Sequence, residues 1–143
     1  AFDPNMRERL WPDRATLRRW IDTAAQVADI VLPSFDEESL LGGDATPEAT
    51  LQRYLGLGVP TVVVKNGAAE VLAWHGTPHR FAPKQRSAVD TTAAGDSFNA
   101  GFLAAWLRGQ NMAACLAAGA DLAGQVIAQP GALVEVTLPD KTT

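Results

Sequence analysis

The sequence contains a single cysteine, Cys115, among its 143 residues. A disulfide framework is therefore excluded, and such sparing use of cysteine is typical of proteins of the reducing cytoplasm. Cys115 lies in a stretch rich in Ala and Leu, which predicts a small buried helix residue rather than a reactive thiol. We expect a cytoplasmic protein without disulfides.

Long apolar runs and clusters of basic charge are missing as well. Asp, Gln or Arg interrupts each apolar run well before the roughly 18 residues that a membrane-spanning helix needs, and no charged-then-apolar leader opens the sequence. The formal net charge is −4 at pH 7, and the 12 Lys and Arg residues are scattered. Because nucleic-acid-binding surfaces concentrate Lys and Arg, we expect neither nucleic-acid nor membrane binding.

An initiator methionine is absent too. The chain opens with Ala1 and Phe2 followed by Asp-Pro-Asn, which is typical of a buried strand that runs into a loop. We therefore expect an N-terminal part to precede residue 1. The 47% apolar content and the length are sufficient for one compact domain, so residues 1–143 are expected to belong to a single domain.

Hydrophobic periodicity predicts an α/β protein. Apolar residues recur at helical spacing after Asp13 and again after Thr46, and both of these residue types are favoured at helix N-caps. The predicted helices cover residues 14–28, 47–56, 95–107 and 112–128, the predicted strands cover 28–33 and 59–65, and residues 70–74 and 77–81 form a predicted edge hairpin. Alternating helices and strands favour a layered domain with a largely parallel sheet.

The loop at residues 90–96 carries the strongest chemical signal. Ala93, Ala94 and Gly95 precede a predicted helix, so their small side chains leave backbone N–H groups open to an anion. Asp96 falls in the first helical turn, where the helix dipole keeps its carboxylate ionised and able to accept a proton from a substrate hydroxyl. Open amides beside a base suit phosphoryl transfer. Taken alone, Asp96 is more simply explained as a helix cap.

The whole string that starts at Asp90, Asp-Thr-Thr-Ala-Ala-Gly-Asp-Ser-Phe-Asn-Ala-Gly, closely resembles the second signature of the ribokinase-like (PfkB) carbohydrate kinases. Neither a P-loop nor a dinucleotide fingerprint is present. The resemblance implies a three-layer α/β/α fold and ATP as a cofactor. It makes Asp96 the general base and the amides of Ala93 to Gly95 the anion hole. Asp90 and Thr92 would hold a monovalent cation such as K+.

Two further loops resemble elements of the same family. Ser34-Phe35-Asp36-Glu37 takes the place of an Asn-x-x-Glu element, in which Glu37 would act through water on the Mg2+ of MgATP and Ser34 replaces Asn. Without the family, Glu37 is equally well explained as an exposed acid at a helix start. Lys65-Asn66-Gly67 resembles the nucleotide loop, although a lone Lys at a strand end is more often solvated.

The end of the sequence resembles the family's adenine site. The string Gln-Pro-Gly-Ala at residues 129–132 is similar to the turn that closes over adenine, and Ala123 with either Val126 or Ile127 would supply apolar walls. The resemblance thus extends over nearly the whole chain. It implies ATP and a small sugar or sugar acid as partners.

The string Asp-Pro-Asn-Met-Arg at residues 3–7, followed by Leu-Trp at 10 and 11, narrows the substrate. It resembles the Asp-x-Asn-x-Arg segment of 2-keto-3-deoxygluconate kinases, and some fructokinases carry a close variant. Arg7 would pair with a sugar-acid carboxylate or with the transferred phosphoryl group, and Asp3, Asn5 and Asp96 would also contact the substrate. The alternative for Arg7 is a surface ion pair with Glu8 or Asp13.

These resemblances rank three functions. Phosphorylation of 2-keto-3-deoxygluconate to its 6-phosphate comes first, and a fructokinase or another PfkB sugar kinase comes second. The third is a non-catalytic nucleotide-binding fragment. The resemblance also implies that most sugar contacts, and a β-sheet lid through which the protein forms a homo-oligomer, belong to the N-terminal part. We therefore expect residues 1–143 alone to be inactive.

Overall fold

The computed structural model describes residues 1–137, and these fall into two compact units. The first unit is Ala1–Ala82. The second begins at Pro83 and is described as far as residue 137. The last six residues of the predicted 1–143 domain lie outside the described residues.

The first unit contains four strands and three α-helices, and the second contains two longer α-helices. In chain order the first has a 3-10 turn Glu8–Leu10, α1 Arg14–Ala25, β1 Ile30–Val31, α2 Phe35–Glu37, a π-helical turn Glu38–Gly42, α3 Pro47–Gly56, β2 Thr61–Val64, β3 Val71–His75 and β4 Thr77–Phe81. The second has α4 Ala94–Leu107 and α5 Met112–Ile127. The four predicted helices are confirmed, with α1 ending three residues early. No helix among the described residues is long and apolar enough to cross a membrane.

Local capping explains where these helices begin. The Asp13 carboxylate accepts a hydrogen bond of 2.7 Å from the Thr16 amide at the start of α1. The Thr46 hydroxyl does the same for Ala49 at 3.1 Å, and Pro47 occupies the first turn of α3. Such caps satisfy amides that a helix leaves unpaired at its N-terminus, so they fix the first residue of each helix.

The sheet of the first unit is mixed rather than largely parallel. Its order is β1-β2-β3-β4; β1 and β2 are parallel, whereas β2 with β3 and β3 with β4 are antiparallel. A bridge between Phe2 and Val31 extends the parallel part. The predicted hairpin at residues 70–81 is confirmed, and it produces the mixture because short turns join only antiparallel neighbours.

The core of the first unit lies between the sheet and its helices. Leu17 and Ile21 of α1 and Tyr54 of α3 are buried in one cluster with Val62 and Val64 of β2. Leu17 and Ile21 are four residues apart, which places them on one face of α1. This packing holds β1 and β2 in place, and the loops that leave these two strands carry the predicted nucleotide-side residues of the first unit.

A buried ion network fixes the π-helical turn. The Glu38 side chain is fully buried and accepts hydrogen bonds from the Tyr54 hydroxyl, from Arg53 and from Arg18. Burial raises the pKa of Glu38, although the Tyr54 hydrogen bond and the two arginine charges oppose the shift. A Cβ on Gly42 would lie 2.4 Å from an Arg18 nitrogen, so the glycine leaves room for Arg18.

The two helices of the second unit pack at close range. A Cβ on Gly101 of α4 would lie 2.5 Å from the Ala118 carbonyl oxygen, and one on Gly119 of α5 would lie 2.8 Å from the Phe98 carbonyl oxygen. Only glycine permits such close backbone approach at these positions. Cys115 is buried on α5, as its Ala-rich surroundings predict.

Candidate functional site

The turn before α4 leaves amides open at the helix N-terminus. Ala93 occupies the N-cap position with a φ of 61°, in the left-handed region, and no side chain caps the helix. The Ala94 amide donates to the Thr91 carbonyl at 3.2 Å and the Ser97 amide to the Ala93 carbonyl at 2.9 Å. The amides of Gly95 and Asp96 form no hydrogen bond within the described residues. Such amides, reinforced by the helix dipole, suit a phosphoryl group.

Asp96 lies in the first turn of α4, as predicted, and its side chain is exposed. The carboxylate has neither a hydrogen-bond donor nor an ion-pair partner among residues 1–137. Because Ala93 holds the cap position, the interpretation of Asp96 as a helix cap is wrong. A solvent-accessible carboxylate beside open amides can accept a proton from a hydroxyl group while those amides face an anion.

Asp90 closes the same loop against the end of α5. One carboxylate oxygen accepts hydrogen bonds from the Thr92 amide at 2.8 Å and the Thr92 hydroxyl at 2.6 Å. The other accepts one of 2.9 Å from the Gly131 amide. These hydrogen bonds, led by that of the Thr92 side chain, lower the pKa of the Asp90 carboxyl. The ionised carboxylate is chemically suited to a cation. Its hydrogen bond from the Gly131 amide links the 90–96 loop to the predicted adenine turn.

The predicted adenine walls lie on α5 of the same unit. Ala123 and Ile127 are half-buried, whereas Val126 is buried, so Ile127 rather than Val126 has a side chain open to a ligand. The Ile127 carbonyl also accepts hydrogen bonds from the amides of Val89 and Asp90, at 2.7 and 3.2 Å. The end of α5 is therefore linked directly to the loop that leads to Asp96.

In the first unit, Asp3 joins the predicted substrate segment to the predicted nucleotide loop. Its carboxylate accepts one hydrogen bond of 2.7 Å from the Lys65 ammonium and another of 3.0 Å from the Asn5 amide. Lys65 is only 8% exposed. The alternative interpretation of Lys65 as a merely solvated lysine is therefore wrong, because Lys65 is buried against an ion-pair partner 62 positions away.

Arg7 lies against Glu37 rather than against the acids expected from the sequence. Its Nη1 donates to the Glu37 carboxylate at 3.4 Å and to the Met6 carbonyl at 3.0 Å, while the Met6 amide donates to the other Glu37 oxygen at 3.0 Å. The predicted alternative partners of Arg7 are engaged elsewhere, Glu8 with Arg14 and Asp13 in its helix cap. The fold thus places Arg7, which is predicted to bind the substrate, in contact with Glu37, which is predicted to act on the magnesium through water.

The loops after β1 and β2 are neighbours at one edge of the sheet. Ser34 and Lys65 form a parallel bridge, in which the Phe35 amide donates to the Lys65 carbonyl at 2.8 Å. The Ser34 side chain does not cap α2. Gly67 has a φ of 55°, which its lack of a Cβ permits, and the half-buried Asn66 precedes it. The residues of this unit that are predicted to bind the nucleotide therefore lie next to one another in space.

A cleft of about 640 Å³ opens beside Arg7 and Glu37. Its lining also includes Arg9, Arg14 and Leu40, none of which is a site residue predicted from the sequence. Arg14 is paired with Glu8, whereas Arg9 has no ion-pair partner among the described residues. The sequence carries a weak signal for these residues, since Arg9 follows Arg7 by two positions, but nothing in it indicates that the π-helical turn brings Leu40 to the same cleft.

The donor set fits a magnesium ion that is carried by a nucleotide. No group of three or more His, Cys, Asp or Glu side chains converges among residues 1–137, so these residues form no all-protein metal cage. Mg2+ in nucleotide sites keeps several water ligands and needs only one or two carboxylates. The half-buried Glu37 carboxylate of the first unit can accept hydrogen bonds from such waters.

Comparison with known sequences points to the same family that the string starting at Asp90 resembles. The model of the pfkB family carbohydrate kinases matches residues 1–138. The 2-dehydro-3-deoxygluconokinase of Haemophilus influenzae is 36% identical over 139 residues, which cover 94% of this chain and 44% of that protein. The enzyme of the same name from Bacillus subtilis is 39% identical over 111 residues, 76% of this chain and 34% of its own length. The chain thus spans less than half of these relatives.

Solved structures show that the fold is ribokinase-like. A PfkB protein from Polaromonas sp. JS666 superposes with a TM-score of 0.78 at 34% identity, over 87% of this chain and 40% of that structure. A putative ribokinase II from Escherichia coli in complex with ATP and Mg2+ has a TM-score of 0.79 at 26% identity, over 92% of this chain and 43% of the other. The loop that carries Asp96 and the family match over nearly the whole chain together show that the protein belongs to the pfkB family of carbohydrate kinases.

Proposed function

We propose that this chain supplies the catalytic base and part of the ATP site of a kinase that phosphorylates 2-keto-3-deoxygluconate. The observation that carries the proposal is the exposed Asp96 carboxylate in the first turn of α4, next to open amides and without a protein partner among the described residues. A base and an anion site in adjacent residues are what phosphoryl transfer to a hydroxyl requires.

Asp96 acts as the general base. It accepts the proton of the acceptor 6-hydroxyl as the new oxygen–phosphorus bond forms, and the bond between the γ-phosphorus and the bridging oxygen breaks with its electron pair leaving on ADP. Of the predicted anion hole Ala93 to Gly95, the open Gly95 amide stabilises the negative charge that develops on the transferred group, together with the Asp96 amide, whereas the Ala94 amide already donates to the Thr91 carbonyl. MgATP, when bound, supplies the phosphoryl group and a cation that neutralises its charge.

The remaining predicted residues bind and orient the nucleotide. Glu37 would hold water molecules of the magnesium when MgATP is bound, and the loop after β2 that contains Lys65, Asn66 and Gly67 would bind the phosphates together with Ser34. The adjacency of these loops supports this grouping. In the second unit, Ala123, Ile127 and the turn at 129–132 face adenine. Asp90 and Thr92, which are already bonded to each other, are the proposed site of a monovalent cation such as K+.

Arg7 favours a sugar acid as acceptor. Its side chain is 58% exposed, so the guanidinium can pair bidentately with a carboxylate from solvent, while Asp3 and Asn5 shape the segment around it. The names of the two bacterial relatives support the same substrate. The cytoplasmic location and the homo-oligomer expected from the sequence belong to this proposal.

Fructose or another neutral sugar is the second candidate acceptor. Glu37 already neutralises Arg7, an arrangement that suits an acceptor without a carboxylate. The third candidate is a non-catalytic nucleotide-binding fragment. These candidates differ in measurable turnover, so one substrate panel separates them.

The test uses the complete protein with ATP and Mg2+ and a panel of 2-keto-3-deoxygluconate, fructose, ribose and adenosine. Asp96→Asn should lower turnover of the preferred acceptor about a thousandfold, as expected for loss of a general base, while nucleotide binding measured by calorimetry is retained. Asp121→Asn, another exposed aspartate of the second unit, is the matched control and should keep normal turnover. Turnover by Asp96→Asn comparable with the unmodified protein would refute the assignment, and preference for fructose would replace the substrate.

A further inference from the structure

Two ion pairs connect residues 3–7, here called the acceptor segment, with residues that are proposed to act on the nucleotide. Asp3 pairs with Lys65 at 2.7 Å, and Arg7 pairs with Glu37 at 3.4 Å. Both pairs lie within the first unit. The residues proposed to bind the acceptor are therefore in direct contact with the residues proposed to bind MgATP.

The two pairs differ in strength. The Asp3–Lys65 pair is short and its lysine is nearly buried, and breaking one partner of a buried pair leaves an uncompensated charge. The Arg7–Glu37 pair is longer and its arginine is mostly exposed, so little free energy holds it together. The first pair is thus a fixed anchor for the acceptor segment. In the second, the Glu37 oxygen that faces Arg7 can change partners while the other oxygen stays on the Met6 amide.

The Arg7–Glu37 pair also sets the charge that an acidic acceptor meets. The Glu37 carboxylate offsets the positive charge of the guanidinium and would repel a second carboxylate placed beside it. The other acid of the cleft, Glu8, is already neutralised by Arg14, and Arg9 adds a constant positive charge. Glu37 is therefore the group that limits how strongly Arg7 attracts an acid.

We propose that Arg7 and Glu37 couple acceptor binding to nucleotide binding. Glu37 is paired with Arg7 until it turns to the water molecules of the nucleotide-bound magnesium, and Arg7 then binds the carboxylate of the acceptor more tightly. The coupling rests on the proposed roles of these two residues. It is reciprocal, because a change in acceptor affinity on nucleotide binding requires an equal change in nucleotide affinity on acceptor binding.

The experiment measures binding rather than turnover. Calorimetry on the complete protein gives the dissociation constant of 2-keto-3-deoxygluconate with and without a saturating β,γ-imido analogue of ATP and Mg2+. We expect the acid to bind about fivefold more tightly with the analogue present, the low end of typical coupling. In Glu37→Gln the acid should bind about fivefold more tightly without nucleotide, and the analogue should add little, because Arg7 is already released.

Three controls make the result specific. Arg7→Gln should weaken acid binding and abolish the coupling, whereas Glu8→Gln, which removes a carboxylate from the same cleft, should retain it. Fructose affinity without nucleotide should be equal in the unmodified protein and in Glu37→Gln. Circular dichroism confirms that each variant is folded.

The outcomes separate this coupling from the kinase proposal. If folded Glu37→Gln binds the acid no more tightly than the unmodified protein in the absence of nucleotide, the coupling is overturned, while the base role of Asp96 stands on its own turnover assay. If the unmodified protein binds no sugar acid at all, the coupling and the proposed substrate are both overturned.

Discussion

The Tyr54 hydroxyl donates a hydrogen bond of 2.5 Å to the fully buried carboxylate of Glu38. The contact joins α3 to the π-helical turn that directly follows Glu37. π-helical turns are uncommon and often accompany functional sites. The hydrogen bonds of the buried Glu38 side chain stabilise this one. Burial and the adjacent Glu38 charge raise the pKa of Tyr54, so its hydroxyl remains a donor.

Tyr54→Phe should destabilise the protein by about 1–3 kcal/mol, the cost of leaving a buried acceptor without its donor. Urea unfolding followed by circular dichroism gives the free energy of unfolding. Glu48→Gln, which removes an exposed charge from the same helix, should leave that free energy nearly unchanged. Equal stability of Tyr54→Phe and the unmodified protein would show that the hydrogen bond adds nothing to the network.

The network also includes Asp44, whose carboxylate pairs with Arg53 at 2.8 Å and accepts a hydrogen bond of 2.9 Å from the Thr50 hydroxyl. This pairing predicts a stability difference that depends on pH. Burial disfavours the Asp44 charge, but hydrogen bonding and the charge of Arg53 outweigh burial and lower the pKa of the Asp44 carboxyl. A lowered pKa in the folded state stabilises the protein above the unfolded value, about 3.9, and this stabilisation disappears as the pH falls through the folded-state pKa.

Asp44→Asn should therefore be less stable than the unmodified protein at pH 7, and the gap should narrow as the pH falls below about 4. Free energies of unfolding between pH 3 and 7 for both proteins provide the check. A gap that stays constant down to pH 3 would contradict the assigned ion pairs of Asp44.

The elements set by local sequence were predictable, and the long-range partners were not. Asp13 and Thr46 cap their helices because the groups involved lie within three residues. By contrast, Lys65 meets Asp3 across 62 positions and Arg7 meets Glu37 across 30. Only the folded sheet determines such contacts, so periodicity and capping rules assign each side chain an element but not a partner.

The 90–96 loop shows the same limit within the site. Its sequence predicts the helix start and the exposed Asp96, since both depend on neighbouring residues. The left-handed conformation of Ala93 was not predictable, because alanine rarely adopts a positive φ. The mixed sheet likewise follows from how β3 returns beside β2, which strand propensity does not determine.

Gly101→Ala tests the close packing of α4 on α5. The added Cβ would lie 2.5 Å from the Ala118 carbonyl oxygen, so the helices must separate and stability should fall by about 1–3 kcal/mol. Gly56→Ala is the control, because a Cβ there meets nothing within 4 Å, and alanine should stabilise α3 by up to about 1 kcal/mol. Thermal unfolding of both variants separates loss of space from a general effect of replacing glycine.

Ala93 connects backbone conformation to the proposed chemistry. The Ala93 backbone at φ 61° is strained, because residues other than glycine rarely adopt this conformation. In this turn, that conformation sets the direction of the amides that follow. Ala93→Gly removes the Cβ while retaining the turn, and should leave turnover near normal. Ala93→Val places a β-branched side chain in a backbone conformation that such residues avoid, so the turn must rearrange. The kcat of the complete protein should then fall about tenfold or more, because small displacements of catalytic groups are costly. Steady-state kinetics of the two variants decide the point: equal kcat values would mean that the geometry of these amides does not contribute to phosphoryl transfer.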